Sequence, residues 1–169
     1  MLMRKILLGV TSLLVVGVTV VAIRLPTWST PVEAEGHCHK IHATQTAVAD
    51  FATFTTAGEI KSGLLKGTTK FAGDPASLTQ ITSAVSPPVE PLTSSYTGDL
   101  EITTRKGTLT TRSVGVFEGV PFGVGVQFDR VIRGTGVFEG ASGVLFFRFE
   151  ADNTGAAFTS SVSGEVCVQ

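Results

Sequence analysis

At 169 residues the chain holds one domain once any targeting segment is set aside, and 43% hydrophobic against 16% charged residues excludes a disordered chain. The formal net charge is −1, and the Lys and Arg residues are spaced singly, so no basic surface suited to nucleic acid is expected. Glycine and threonine are abundant while the strong helix formers do not dominate, which points to an all-β fold.

The first 34 residues read as a unit. Arg4 and Lys5 form a basic start ahead of an uncharged run from Ile6 to Ile23, the pattern of an export signal. Val32-Glu33-Ala34 offers small residues at both specificity positions of a cleavage site, with Pro31 just before it, so the mature chain is expected to begin at Glu35. The apolar run is also close to the lower bound for a spanning helix, and Trp28 suits a membrane interface, so an uncleaved anchor is the alternative. Either way residues 35–169 form the domain, placed outside the cytoplasm as a secreted, periplasmic or cell-surface protein. The membrane enters only through an uncleaved N-terminal segment.

Beyond Ala34 there are two cysteines, Cys38 and Cys167, at the two ends of the domain. In an oxidising compartment the economical reading is a disulfide. Closing a loop of that length restricts the unfolded chain by roughly 5 kcal/mol at most. A bridge also requires neighbouring backbones, so the first and last strands are expected side by side, as a closed barrel provides. Around Cys38 lie His37, His39 and His42, all the histidines of the chain. His37 and His39 share a strand face, but Cys38 is committed to the bridge and no carboxylate stands beside them. They read as exposed residues flanking the disulfide, and no metal or cofactor is assigned.

Alternation punctuated by Gly, Pro, Asn and Asp predicts strands near 40–49, 60–71, 77–86, 94–104, 107–117, 122–132, 143–151 and 156–168. Arg105-Lys106-Gly107 and Asp152-Asn153-Thr154-Gly155 supply hairpin turns, and the three prolines in Ser86–Pro91 mark an exposed loop. In 122–128, Phe122, Val124, Val126 and Phe128 share one face, read as buried, and Gly123, Gly125 and Gln127 the other. Leu145, Phe147 and Phe149 repeat the pattern opposite Val144, Phe146, Arg148 and Glu150. These seven apolar residues, Phe122, Val124, Val126, Phe128, Leu145, Phe147 and Phe149, are the expected lining of an interior cavity.

Gly115-Val116-Phe117-Glu118-Gly119 recurs as Gly136-Val137-Phe138-Glu139-Gly140. Two copies do not make a solenoid. They read as two strand ends using one glycine-flanked turn, with Phe117 and Phe138 inward and Glu118 and Glu139 as rim carboxylates.

The stretch Gly134-Thr135-Gly136-Val137-Phe138-Glu139-Gly140-Ala141-Ser142-Gly143 resembles the glycine-rich signature of the allene oxide cyclase and dirigent superfamily. The resemblance covers residues 123–149 firmly and reaches about 94–168 by pattern. It implies an eight-stranded antiparallel closed barrel around an apolar cavity, assembled as a homo-oligomer, a trimer in that superfamily. Its chemistry does not carry over residue by residue. The cyclases use a glutamate, a proline and an asparagine-held water from early strands, whereas residues 40–56 contain neither glutamate nor proline and Asn153 is the chain's one asparagine. Dirigent proteins orient radical coupling with acidic pocket residues, yet none of Asp50, Asp74, Asp99 and Asp129 sits in a matching motif. Catalytic residues are therefore left unassigned.

Three functions fit these readings. The favoured one is non-catalytic binding of a small apolar ligand inside the barrel. An isomerase or cyclase would need a buried titratable group aimed into the cavity. A structural or surface-interaction module would be a solid barrel. A Ser-His-Asp hydrolase is disfavoured, because all three histidines crowd the mature N-terminus and no serine occupies a nucleophile elbow.

Overall fold

The computed structural model describes residues 36–81, 93–118, 123–152 and 154–169. The expected signal or anchor segment, the proline-rich loop, Phe122 and Asn153 lie outside the described residues. Nine strands follow one another: β1 His37–Asp50, β2 Thr55–Ile60, β3 Gly67–Gly73, β4 Thr79–Ile81, β5 Thr93–Thr104, β6 Gly107–Glu118, β7 Val124–Gly134, β8 Ser142–Ala151 and β9 Ala157–Val168. They form one antiparallel sheet in the order β3-β2-β1-β9-β8-β7-β6-β5-β4. Pairing of β3 with β5 closes it into an eight-stranded barrel, and short β4 extends the β3 edge along β5. Among the described residues closure leaves no long unpaired edge to template aggregation.

Two expected strands are corrected. The run 60–71 is not continuous: β2 ends at Ile60, residues 61–66 turn with Gly63 at φ 76°, and β3 starts at Gly67. Leu65 inside that turn is buried, so its apolar character, read as strand periodicity, caps the barrel end instead. Of 77–86, residues 82–86 lie outside the described residues, and the strand begins at Thr79 rather than Ser77, because Pro75–Ser77 forms a 3₁₀ turn capped by the Asp74 carboxylate on the Ala76 N–H.

β1 and β9 run alongside each other from His37↔Val168 to Val48↔Ala157, which puts Cys38 opposite Cys167. The disulfide joins them across 129 residues of chain, as expected. His37, His39 and His42 are exposed on β1.

The barrel is filled unevenly along its axis. At the end carrying the disulfide, Ile60, Leu65, Ile102, Leu109, Phe138, Leu145 and Val166 are sealed from solvent. Phe138 comes from the glycine-rich signature, where a 3₁₀ turn at Gly136–Phe138 folds the ring inward as a plug. Gly136 takes φ 62°, and a Cβ there would lie 2.2 Å from the Lys106 carbonyl oxygen. Only glycine fits that approach. The echoed motifs therefore differ in conformation: Gly115–Glu118 is the last turn-free stretch of β6, while Gly136–Phe138 is helical. Both phenylalanines are nonetheless buried, and Glu118 and Glu139 are exposed.

Candidate functional site

The opposite end of the barrel is hollow. A cavity of about 60 Å³ lies between the C-terminal part of β1, the β1–β2 turn, β3, β5 and the facing parts of β7, β8 and β9. Phe54, Phe71, Tyr96, Leu100, Phe147, Phe149 and Phe158 form its wall, Gln45, Gln127 and Ser160 supply polar atoms, and exposed Asp50 and Phe51 stand at its mouth. Phe54, Phe71 and Tyr96 meet edge to face with centroids 5.6–6.4 Å apart, the arrangement ring quadrupoles favour. Phe54 is the sole non-glycine residue with positive φ among the described residues, at 53°. Such strain in a bulky residue is held in place by its surroundings. It aims the Phe54 ring over the cavity from the four-residue β1–β2 turn.

Inward-facing glycines make room for this aromatic wall. Tyr96 lies across Gly115 and Phe149 across Gly125, where a Cβ would come within 2.1 Å of each ring. Phe71 likewise covers Gly98, at 2.5 Å. A ring lying flat over the next strand's glycine fills the volume its missing side chain leaves, and so lines the barrel without blocking it.

This arrangement reverses the face expected for β7. Val124, Val126 and Phe128 point outward, with Val126 56% and Phe128 39% exposed, while Gly125, Gln127 and Asp129 point in. Phe122 lies outside the described residues. On β8 the expectation holds: Leu145, Phe147 and Phe149 are buried, and Phe147 and Phe149 line the cavity, whereas Leu145 belongs to the sealed end. The physical reason is that β7 offers glycine inward for its neighbour's ring, so the apolar side chains take the outer face.

Behind the cavity wall lies a buried polar cluster that the sequence did not reveal. Asp129 is 0% exposed. Its Oδ1 accepts from Thr111 Oγ1 at 2.6 Å and Ser113 Oγ at 2.5 Å, and its Oδ2 accepts from Gln127 Nε2 at 2.8 Å. Gln127 Oε1 in turn accepts from the Tyr96 hydroxyl at 2.7 Å. A register shift between Thr110 and Thr111 lets both threonines be buried and brings Thr111 to the carboxylate. Burial pushes the Asp129 carboxyl above its ordinary range, against the pull of the three donors. Burial, reinforced by the Asp129 charge, raises the Tyr96 phenol as well. On the other wall Gln45 Nε2 donates to Thr69 Oγ1 at 2.8 Å. Ser160 is 1% exposed and its Oγ has no hydrogen-bond partner among the described residues.

No family model and no curated protein matches the chain. Among solved structures it resembles two dirigent proteins. The pterocarpan synthase dirigent protein GePTS1 is 15% identical, with 87% of this chain and 99% of that chain covered and a TM-score of 0.35. PsPTS1, also a pterocarpan synthase dirigent protein, is 15% identical, with 78% and 96% covered and a TM-score of 0.32.

The arrangement can hold a small apolar group against aromatic rings and offer it one unclaimed hydroxyl. Acid–base chemistry is less well served. Asp129 stands behind Gln127, and an amide between phenol and carboxylate transmits polarity but does not relay a proton. Cys38 is held in the disulfide, so it cannot join His37 and His39 as a thiolate ligand.

Proposed function

We propose that this protein is an exported barrel that binds a small, largely apolar ligand in its open end, with the ligand's single polar group hydrogen-bonded to Ser160. The observation that carries this reading is the Ser160 hydroxyl, buried at an aromatic-lined cavity with no hydrogen-bond partner among the described residues. A native interior rarely leaves such a group unsatisfied, because the lost hydration costs about 1–3 kcal/mol. A polar atom of a ligand would satisfy it. The cavity of about 60 Å³ accommodates a few waters. A ligand with an aromatic ring needs Phe51 at the mouth to swing outward. Export is supported by the basic start, the apolar run Ile6–Ile23 and the Cys38–Cys167 disulfide, a bond that persists in oxidising compartments.

The test compares toluene with benzyl alcohol, two probes of similar shape that differ in a hydroxyl. Titrated into isotope-labelled protein, benzyl alcohol is expected to shift amide resonances around Gln45, Tyr96 and Ser160 saturably and at lower concentration than toluene. In Ser160→Ala the advantage of the alcohol should vanish. Shifts confined to the outer face, or none that saturate, would remove the binding reading.

A second reading, isomerase or cyclase chemistry, is favoured by one observation, that Tyr96 lines the cavity and its hydroxyl is joined through Gln127 to Asp129. It requires Tyr96 to exchange a proton with a ligand directly. Turnover abolished by Tyr96→Phe with binding retained would establish it.

A further inference from the structure

The outer face of β6, β7 and β8 carries an apolar patch that the cavity does not explain. Val114 lies opposite Phe128, which lies opposite Phe146, and the Phe128 and Phe146 rings touch at 5.4 Å between centroids. In the next outward row Val116, Val126 and Arg148 are aligned. Val114, Val126, Phe128 and Phe146 are all exposed. Charges close the patch at both ends and with opposite signs. Arg112 and Arg130 are paired across β6 and β7 at one end, and Glu118 and Glu150 flank Val124 at the other. Arg130 has no ion-pair partner among the described residues, while Arg112 is engaged by Asp99 and Glu150 by Arg148 at 3.4 Å, a solvent-exposed pair.

We infer that this face pairs with a second copy of the chain about a two-fold axis running across the strands, in place of the trimer that the superfamily resemblance implies. That axis reverses the strand direction between the two copies and keeps each strand over its own counterpart. Arg130 then comes over Val124 of the partner subunit, between Glu118 and Glu150 of the partner subunit. Phe128 packs on Val126 of the partner subunit, and Arg148 lies over the ring of Phe146 of the partner subunit, a cation–π contact. The other in-plane axis, along the strands, stacks Arg130 on its own image and Glu118 on Glu150, which is repulsive. Charge placement therefore selects both the partner and its orientation. Three strands by four alternate rows cover on the order of 400 Å² per copy. That is well under a standard interface, so the pairing is weak and depends on concentration.

Sedimentation velocity of protein purified from the exported fraction, from the low micromolar to the millimolar range, should show a monomer–dimer equilibrium. Arg130→Glu alone, and Glu118→Arg with Glu150→Arg together, should each weaken dimerisation at least tenfold, because each sets like charges face to face. An equimolar mixture of the two variants should restore it, since both crossed contacts become attractive. Unchanged circular dichroism and melting of each variant establish that folding is intact. A wild-type chain that stays monomeric throughout, a wild-type trimer, or a mixture that fails to restore the dimer would each overturn the proposal.

Discussion

Asp129 is the residue whose replacement tests the interior most sharply. Its carboxyl is raised by burial, so over the interval between its unfolded and folded values the native state holds a proton that the unfolded chain has released. Unfolding free energy contributed by this group is fully present below the unfolded carboxylate range and falls as pH rises through the folded value. The limiting slope for one proton is about 1.4 kcal/mol per pH unit. Asp129→Asn removes the titration while keeping the shape. Both the protonated acid and the amide turn Oδ2 into a donor. Gln127 then rotates its amide, so that Oε1 accepts from residue 129 and Nε2 donates to the Tyr96 oxygen. Wild type and Asp129→Asn should therefore be nearly equal in stability near pH 4, and the variant should pull ahead as pH rises until the folded value is passed. Asp50 and Asp152 are lowered by local hydrogen bonds and act in the opposite sense, present above the unfolded range and lost in acid, but they cancel in the difference between the two proteins. Asp129→Ala behaves otherwise, because Thr111, Ser113 and Gln127 all lose their short bond to the carboxylate, leaving Thr111 a 3.5 Å contact to the Leu100 carbonyl and Gln127 a 3.3 Å contact to Ser113 Oγ, at a cost of about 3 kcal/mol. The assay is denaturant unfolding at intervals from pH 4 to pH 8. A flat difference between wild type and Asp129→Asn, or one in which the variant loses ground as pH rises, would refute the account of a buried, proton-holding carboxylate.

Gly125→Ala should lower stability by about 1–3 kcal/mol, since the new Cβ would stand 2.1 Å from the Phe149 ring and force it off its site, as a thermal melt would register. Reducing the Cys38–Cys167 bond should cost up to roughly 5 kcal/mol, read as a shift of the denaturation midpoint, yet leave a folded barrel by circular dichroism because the β1–β9 ladder is independent of it. Ser160→Ala should be neutral or stabilising by up to about 1 kcal/mol, as the hydroxyl it removes has no partner to lose. Mass spectrometry of protein recovered outside the cytoplasm should find Glu35 at or near its N-terminus; an intact Met1–Ile23 segment there would replace secretion with anchoring.

What the sequence determined by itself was the strand-rich class, the turn at Arg105–Gly107, the bridge between Cys38 and Cys167 and the inward placing of Phe138. Each of these rests on local chemistry: alternation, a glycine needed at positive φ, or two cysteines with no other partner. Strand faces were legible where charges marked one side. In β8, Arg148 and Glu150 share the outer face, and Leu145, Phe147 and Phe149 were correctly turned inward. In β7 the adjacent charges Asp129 and Arg130 fall on opposite faces and cancel as a guide. Side-chain size was left to decide, and it chose Val124, Val126 and Phe128, which the barrel turns outward. Only the tertiary structure could correct this, because the value of an inward glycine depends on a ring from the neighbouring strand. Gly115 is occupied by Tyr96 and Gly125 by Phe149, pairings set by register between distant segments. The same holds for the polar cluster. Thr111, Ser113, Gln127, Asp129 and Tyr96 are unremarkable singly and become a site only when three strands bring them within hydrogen-bonding distance.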